Sequence, residues 1–404
     1  MKRQLLTVLV LMLMLTACAQ NKPEKPSESL VTSASETVLR TGAERMELYL
    51  PELSGKKVAV CGNQTSVVGS THLVDTLLSC KVNIVKLFCP EHGFRGQAEA
   101  GATIASGKDS QTGLPVVSLY GKNKKPTAEQ LQDIDIVLFD LQDVGCRFYT
   151  YISTLHYVME AAAENGVKVI VLDRPNPNGF YVDGPVLQPQ YKSFVGMHPV
   201  PVVYGMTIGE YAQMINGEKW LENGVQCDLT VIPLEGYTHA TRYNLPVAPS
   251  PNLQTPEAIF LYPSLCFFEG ANISVGRGTE HPFEMYGAPG MLSGDYRFTP
   301  KAIPGVSENP PFKGQECRGG LLVLGREWRT APGELKLFFL LNAYRDYPDK
   351  ANFFLKNNFF DKLAGTDQLR KQIIAGVSEE EIRESWKEEL DRFKEIRAKY
   401  LLYE

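Results

Sequence analysis

Three apolar runs in the first half of the chain each end in a carboxylate followed by turn residues. Residues 82–88 run into Cys89-Pro90-Glu91-His92-Gly93-Phe94-Arg95-Gly96. Residues 134–139 run into Asp140-Leu141-Gln142-Asp143-Val144-Gly145-Cys146-Arg147, and residues 167–172 into Asp173-Arg174-Pro175-Asn176. A pair of carboxylates flanking a glycosidic bond is the usual equipment for glycoside hydrolysis. The segment around Glu91 is the strongest local signal, because a Glu beside His and near Arg in a glycine-flanked turn is poor core material. Glu91 could protonate a glycosidic oxygen or activate water, with His92 orienting it or holding substrate. The bland alternative is a surface turn closed by a weak Glu91–Arg95 ion pair.

The second cluster leaves more open. Asp143 can point inward or cap the helix expected from Tyr149, and capping alone would explain it. Arg147 can hold a substrate carboxylate in a bidentate fork or neutralise the acids beside it. Asp173 and Arg174 can bind sugar hydroxyls or build a rigid proline-rich turn. Further on, Pro249-Ser250-Pro251-Asn252 and Ser274-Val275-Gly276-Arg277-Gly278-Thr279-Glu280-His281 stand out in loop sequence. Arg277 and Glu280 sit among glycines that permit close backbone approach, so they suit the opposite wall of a cleft.

The elements that must position these residues alternate between strand-like and helix-like. Residues 57–61 form a short apolar run ending in Gly62-Asn63, and residues 71–78 suit a helix. Residues 149–164 carry apolar residues at helical spacing and stop at Asn165-Gly166. Thr207 and Glu210 make a capping box. This pattern predicts an α/β fold: a Rossmann-like, doubly wound parallel sheet over 41–217. A smaller α+β domain follows over 218–404 and closes the cleft. No G-x-G-x-x-G follows the first strand and no P-loop is present, so a nucleotide cofactor has no support. No cofactor and no metal site are expected: H-E-x-x-H, C-x-x-C and G-x-S-x-G are all absent. A metal-dependent hydrolase built on Glu91, His92 and the aspartates remains a further reading.

The formal net charge of −5 gives no reason to expect nucleic acid. Lys2 and Arg3 precede a short apolar run ending in Leu15-Thr16-Ala17-Cys18, which resembles a bacterial lipobox. The expectation is a signal peptide over 1–17, lipidation of Cys18, and a flexible tether to residue 40. The protein would then sit in the cell envelope, anchored to a membrane. The remaining seven cysteines are odd in number and lie in or beside apolar runs, which favours buried thiols over disulfides.

Taken together, Pro90–Gly96, Asp140–Gly145, Asp173–Pro177, Gly205–Glu210, Pro249–Asn252 and Ser274–Thr279 resemble the NamZ-type exo-β-N-acetylmuramidases over residues 40–404. The resemblance implies a Rossmann-like domain joined to a smaller one with the site between them. It implies release of terminal N-acetylmuramic acid from the non-reducing end of peptidoglycan fragments, and a catalytic role for Glu91. Glu280, Asp143 and Asp140 are candidates for the second acid. Substrate-binding positions under this reading are His92, Arg95, Asn63, Asp140, Arg147, Asp173, Arg174, Asn252 and Arg277. Any of Arg147, Arg174 and Arg277 suits the lactyl carboxylate of this sugar. One position departs from the family pattern: Tyr204 stands where a histidine is common before Gly-Met-Thr. The rival from another class is an envelope lipoprotein that binds muropeptides without cleaving them.

Overall fold

The computed structural model describes residues 38–95, 107–325, 328, 330 and 332–404. The expected signal peptide, Cys18, most of the expected tether and Gly96 lie outside the described residues. Arg40, expected in the tether, already belongs to the fold: its Nη1 lies 2.9 Å from Glu235 Oε2.

Helix α1 (Met46–Leu53) precedes strand β1 (Val58–Gly62). A small hairpin, β2 (Val67–Val68) and β3 (Thr71–His72), leads into α2 (Leu73–Ser79), followed by β4 (Ile84–Cys89), β5 (Gly107–Lys108) and β6 (Pro115–Ser118). Then come α3 (Ala128–Leu131), β7 (Ile136–Asp140), α4 (Tyr151–Asn165), β8 (Lys168–Leu172), α5 (Ile208–Gly217) and β9 (Leu229–Ile232). The seven strands order as β5-β6-β4-β1-β7-β8-β9, and all pairs are parallel except β5 with β6. Without the short edge strand β5 this is the strand order of doubly wound dinucleotide folds, whose crevice opens at the carboxyl ends of the strands.

The strands read as unbroken apolar runs because both faces are covered. Ala59, Cys61, Val137 and Phe139 face one core with α4 and α5, while Val58, Val60, Ile136 and Leu138 face α1 and α2. The α4 stop is as the sequence predicts: Gly166 adopts φ 67° and donates to Ala162 O. The capping box of Thr207 and Glu210 is also present.

The sheet runs past the boundary expected at Gly217, since β9 pairs with β8. Beyond it, α6 (Pro256–Leu265) leads to a three-stranded antiparallel sheet, β10 (Met285–Ala288), β11 (Tyr296–Phe298) and β12 (Cys317–Leu321). Five helices follow: α7 (Leu337–Asp346), α8 (Phe359–Ala364), α9 (Gln368–Ala375), α10 (Glu379–Glu384) and α11 (Lys387–Arg397). The core on the α4 side of the sheet continues without a break into Phe260, Leu340, Leu369 and Phe393. Among the described residues seven cysteines are free, and all but Cys80 are buried.

Candidate active site

Strand β4 delivers Glu91 to the rim of a cavity of about 740 Å³ at the strand ends, within the size range of small-molecule sites. His92 and Gly93 follow with φ 72° and 77°. Two successive left-handed residues turn the chain sharply, and a non-glycine residue there costs on the order of 1–3 kcal/mol. Such a conformation persists only where the surroundings enforce it, and His92 is buried among them. Glu91 accepts a hydrogen bond from Thr150 Oγ1 at 3.3 Å. The Tyr120 phenol also donates to it; burial first, and then the Glu91 charge, push that phenol's pKa up.

The loop from β7 and the first turn of α4 supply Tyr149 and Tyr151, stacked edge to face at 4.7 Å. Tyr149 donates to Pro249 O at 2.8 Å. Asn63 donates to Tyr151 Oη at 2.7 Å from the end of β1. Burial keeps both phenols neutral, hence donors. An aromatic floor continues through Tyr262 to Phe283, with ring centroids 6.0 and 5.0 Å apart. Arg277 lies over Phe283 at 5.0 Å. Its Nε is 2.6 Å from Glu269 Oε1, and its Nη groups take no acceptor among the described residues. Glu91 and Glu269 are the carboxylates of the lining, and Arg277 is its Lys or Arg, among the described residues.

Of the residues singled out from sequence, Glu91, His92 and Arg277 line this cavity, as do Ser250 and Val275 of the two loop motifs; Asn63, Arg95, Asp140, Asp143, Arg147, Asp173, Arg174, Asn252 and Glu280 do not. Glu280 is exposed and lies outside the lining. Asp143 points inward rather than capping α4, but into the protein interior and not into the cavity. Its Oδ2 accepts from Gly145 N at 2.7 Å and from Tyr204 Oη. Burial pushes its pKa up to about 6. The Tyr204 departure therefore changes an interior hydrogen bond.

Asp140 and Arg174 are spent on each other, in a fully buried fork with contacts of 2.5 and 2.8 Å. Arg147 donates to the carbonyls of Pro185, Val200 and Leu363, so it staples loops; burial lowers its pKa to about 10. Arg95 forks onto Asp109 at 3.0 and 2.8 Å rather than onto Glu91. Asp173 accepts from Thr207, Gly209 and Tyr403. Asn252 holds Val306 O at 3.0 Å, and Asn63 supports Tyr151 from behind.

Sequence reasoning missed Glu269, Tyr120, Tyr149 and Tyr151. A signal for Glu269 exists: it is the lone charge closing the apolar stretch from Ala258 to Phe268. Among the described residues, the side chains close enough to share a cation are Glu160, Glu164 and Glu222, and Lys125 already bridges the first two at 2.8 Å.

Fold and cavity define an α/β protein whose strand-end crevice holds two carboxylates and an arginine where nucleotide-binding relatives of the fold hold phosphates. Residues 58–257 match the N-terminal part, and residues 260–403 the C-terminal part, of the exo-β-N-acetylmuramidase NamZ family. The chain belongs to that family. It is 42% identical over 372 residues to the peptidoglycan β-N-acetylmuramidase NamZ of Bacillus subtilis (strain 168), covering 88% of this chain and 89% of that protein. Two DUF1343 family crystal structures from Bacteroides fragilis NCTC 9343 are similar in fold. One has a TM-score of 0.84 at 46% identity and the other 0.79 at 34%, each covering 91% of this chain and 99% of that one.

Proposed function

We propose that this protein is an exo-acting glycoside hydrolase that releases terminal N-acetylmuramic acid from the non-reducing end of peptidoglycan fragments, in cell-wall turnover. The observation that carries the reading is the pairing, in one cavity, of Glu91 with Arg277. N-acetylmuramic acid differs from N-acetylglucosamine by a lactyl ether whose carboxylate is planar and anionic. The Nη groups of Arg277 are the matching donors, and Arg147 and Arg174 are already consumed by buried partners. Glu91, set between Tyr120 and Thr150, gives its proton to the leaving oxygen as the anomeric carbon takes on oxocarbenium character.

A lipid anchor at Cys18 would hold the enzyme in the cell envelope, where such fragments arise; this part rests on the lipobox-like sequence. Release of para-nitrophenol from the N-acetylmuramic acid glycoside, beside the matching N-acetylglucosamine glycoside, tests the activity. Cleavage of the first in clear preference is expected. Cleavage of neither would return the chain to the muropeptide-binding reading.

A further inference from the structure

A glycosidase of this kind needs a second carboxylate at the anomeric centre. Of the three acids that the sequence suggested for it, Asp143 and Asp140 are buried away from the lining, Asp140 in its fork with Arg174, and Glu280 is exposed outside it. The cavity itself presents Glu269.

Glu269 belongs to the single helical turn Cys266–Gly270 that follows α6. The turn is pinned from below. A Cβ at Gly270 would lie 2.4 Å from Phe360 Cα, so α8 fixes the height of the backbone. The carboxylate is gripped from two sides, by Arg277 Nε at 2.6 Å and by the Cys266 thiol, whose sulfur lies 3.6 Å from Oε2. About a quarter of the side chain stays exposed to the cavity. A mere counter-ion for Arg277 has no need of that orientation or that opening.

We propose that Glu269 is the second catalytic carboxylate, resting on the glycosidase reading above, with Arg277 Nε as the group that positions it. The bond from the anomeric carbon to the leaving oxygen breaks, and both electrons go with the oxygen, which takes the proton of Glu91. Glu269 faces the positive charge that develops on the sugar. The oxygen of water completes the anomeric carbon, and its spare proton restores the carboxyl of Glu91.

The test uses Glu269→Ala and Glu269→Gln on two substrates: the para-nitrophenyl N-acetylmuramic acid glycoside, and a disaccharide of N-acetylmuramic acid on N-acetylglucosamine. Para-nitrophenolate leaves without acid help, so a lost acid harms mainly the disaccharide, whereas a lost second carboxylate harms both. Both Glu269 variants should lose kcat on both substrates, by on the order of a thousandfold or more. Sodium azide or formate should restore Glu269→Ala on the activated glycoside and yield the glycosyl azide or ester. Glu269→Gln, nearly isosteric and able to keep an oxygen towards Arg277, guards against simple misfolding through its unchanged thermal midpoint. Loss confined to KM, activity within tenfold of wild type, or a loss that azide and formate leave untouched would overturn the assignment. If the wild-type protein cleaves neither substrate, the glycosidase reading itself falls, and the assignment with it.

Discussion

Tyr403 Oη lies 2.6 Å from Asp173 Oδ2, a hydrogen bond that spans 230 residues and seats the C-terminal segment on the carboxyl end of β8. The same phenol accepts from Leu234 N at 2.8 Å. Beside it, Leu402 N donates to Glu210 Oε1 at 2.8 Å, and His239 is 2.9 Å from Glu210 Oε2. The capping box of α5 is thus locked by residues from three distant parts of the chain.

Tyr403→Phe should therefore destabilise the fold without touching the cavity. It leaves a buried carboxylate and a backbone N–H each short of a partner, at a cost of about 1–3 kcal/mol for an orphaned group. Urea melts should show a lower midpoint with the slope unchanged, and kcat at 25 °C should stay near wild type.

Glu91→Gln separates acid catalysis from binding. On a disaccharide substrate it should lose about 10²–10⁴-fold in kcat, the usual worth of a positioned acid. On the para-nitrophenyl glycoside the loss should be far smaller. Equal losses on both substrates would place Glu91 in another role.

Arg277→Gln should lose preference through the missing fork as well as some rate on every substrate through the loosened Glu269. A hydrogen bond to a charged group contributes about 1.5–3 kcal/mol, so kcat/KM on the N-acetylmuramic acid glycoside should fall roughly 10- to 150-fold. Turnover of an N-acetylglucosamine glycoside should change less, and the ratio of the two rates reads the effect directly. Because Arg277 also holds Glu269, Arg277→Lys, which keeps the charge but loses the fork, should fall between the two.

Two buried histidines make the fold sensitive to acid. His156 Nδ1 is 2.9 Å from His198 Nε2, and His198 is sealed by Trp220 and Tyr211. Burial lowers His156 to about 4 and His198 well below its ordinary value. Both bind fewer protons folded than unfolded, so their contribution is complete above about pH 6.5 and is lost as pH falls towards 4. The slope is at most about 1.4 kcal/mol per pH unit for each. Burial raises Asp143 to about 6 and Asp173 to about 7, and these work in the opposite sense over the same range. The histidine effect is therefore read as a difference. The stability gap between wild type and His156→Gln/His198→Gln should narrow as pH drops from 7 to 5.

The strands β1, β4, β7 and β8 were legible because residues buried on both sheet faces leave an apolar run with no polar interruption. Glu91 was legible for the complementary reason, as a charge in a turn with nothing apolar to do. Asp140, Asp173, Arg147 and Arg174 occupy turns of the same composition, yet they close on one another or on backbone carbonyls. Composition cannot separate a carboxylate that faces a cavity from one that seals a buried fork, since pairing is decided by residues 30 to 230 positions away. Glu280 and Glu269 make the point at shorter range. Both lie near Arg277 in sequence, but Gly276 and Gly278, at φ 79° and 80°, turn the chain so that the earlier acid meets the guanidinium.

The core shared by the sheet and the C-terminal helices bears on how substrate gets in. Tyr149, Tyr262 and Phe283 cross the floor of the cleft as part of that same core. A large apolar contact of this kind resists separation into rigid halves. Among the described residues that core leaves the crevice no plane along which to gape, and its lining includes Pro310-Pro311-Phe312, whose prolines are stiff. The protein is built as a fixed socket, selective for the end of a glycan strand that can be threaded into it rather than for a stretch that must be clasped.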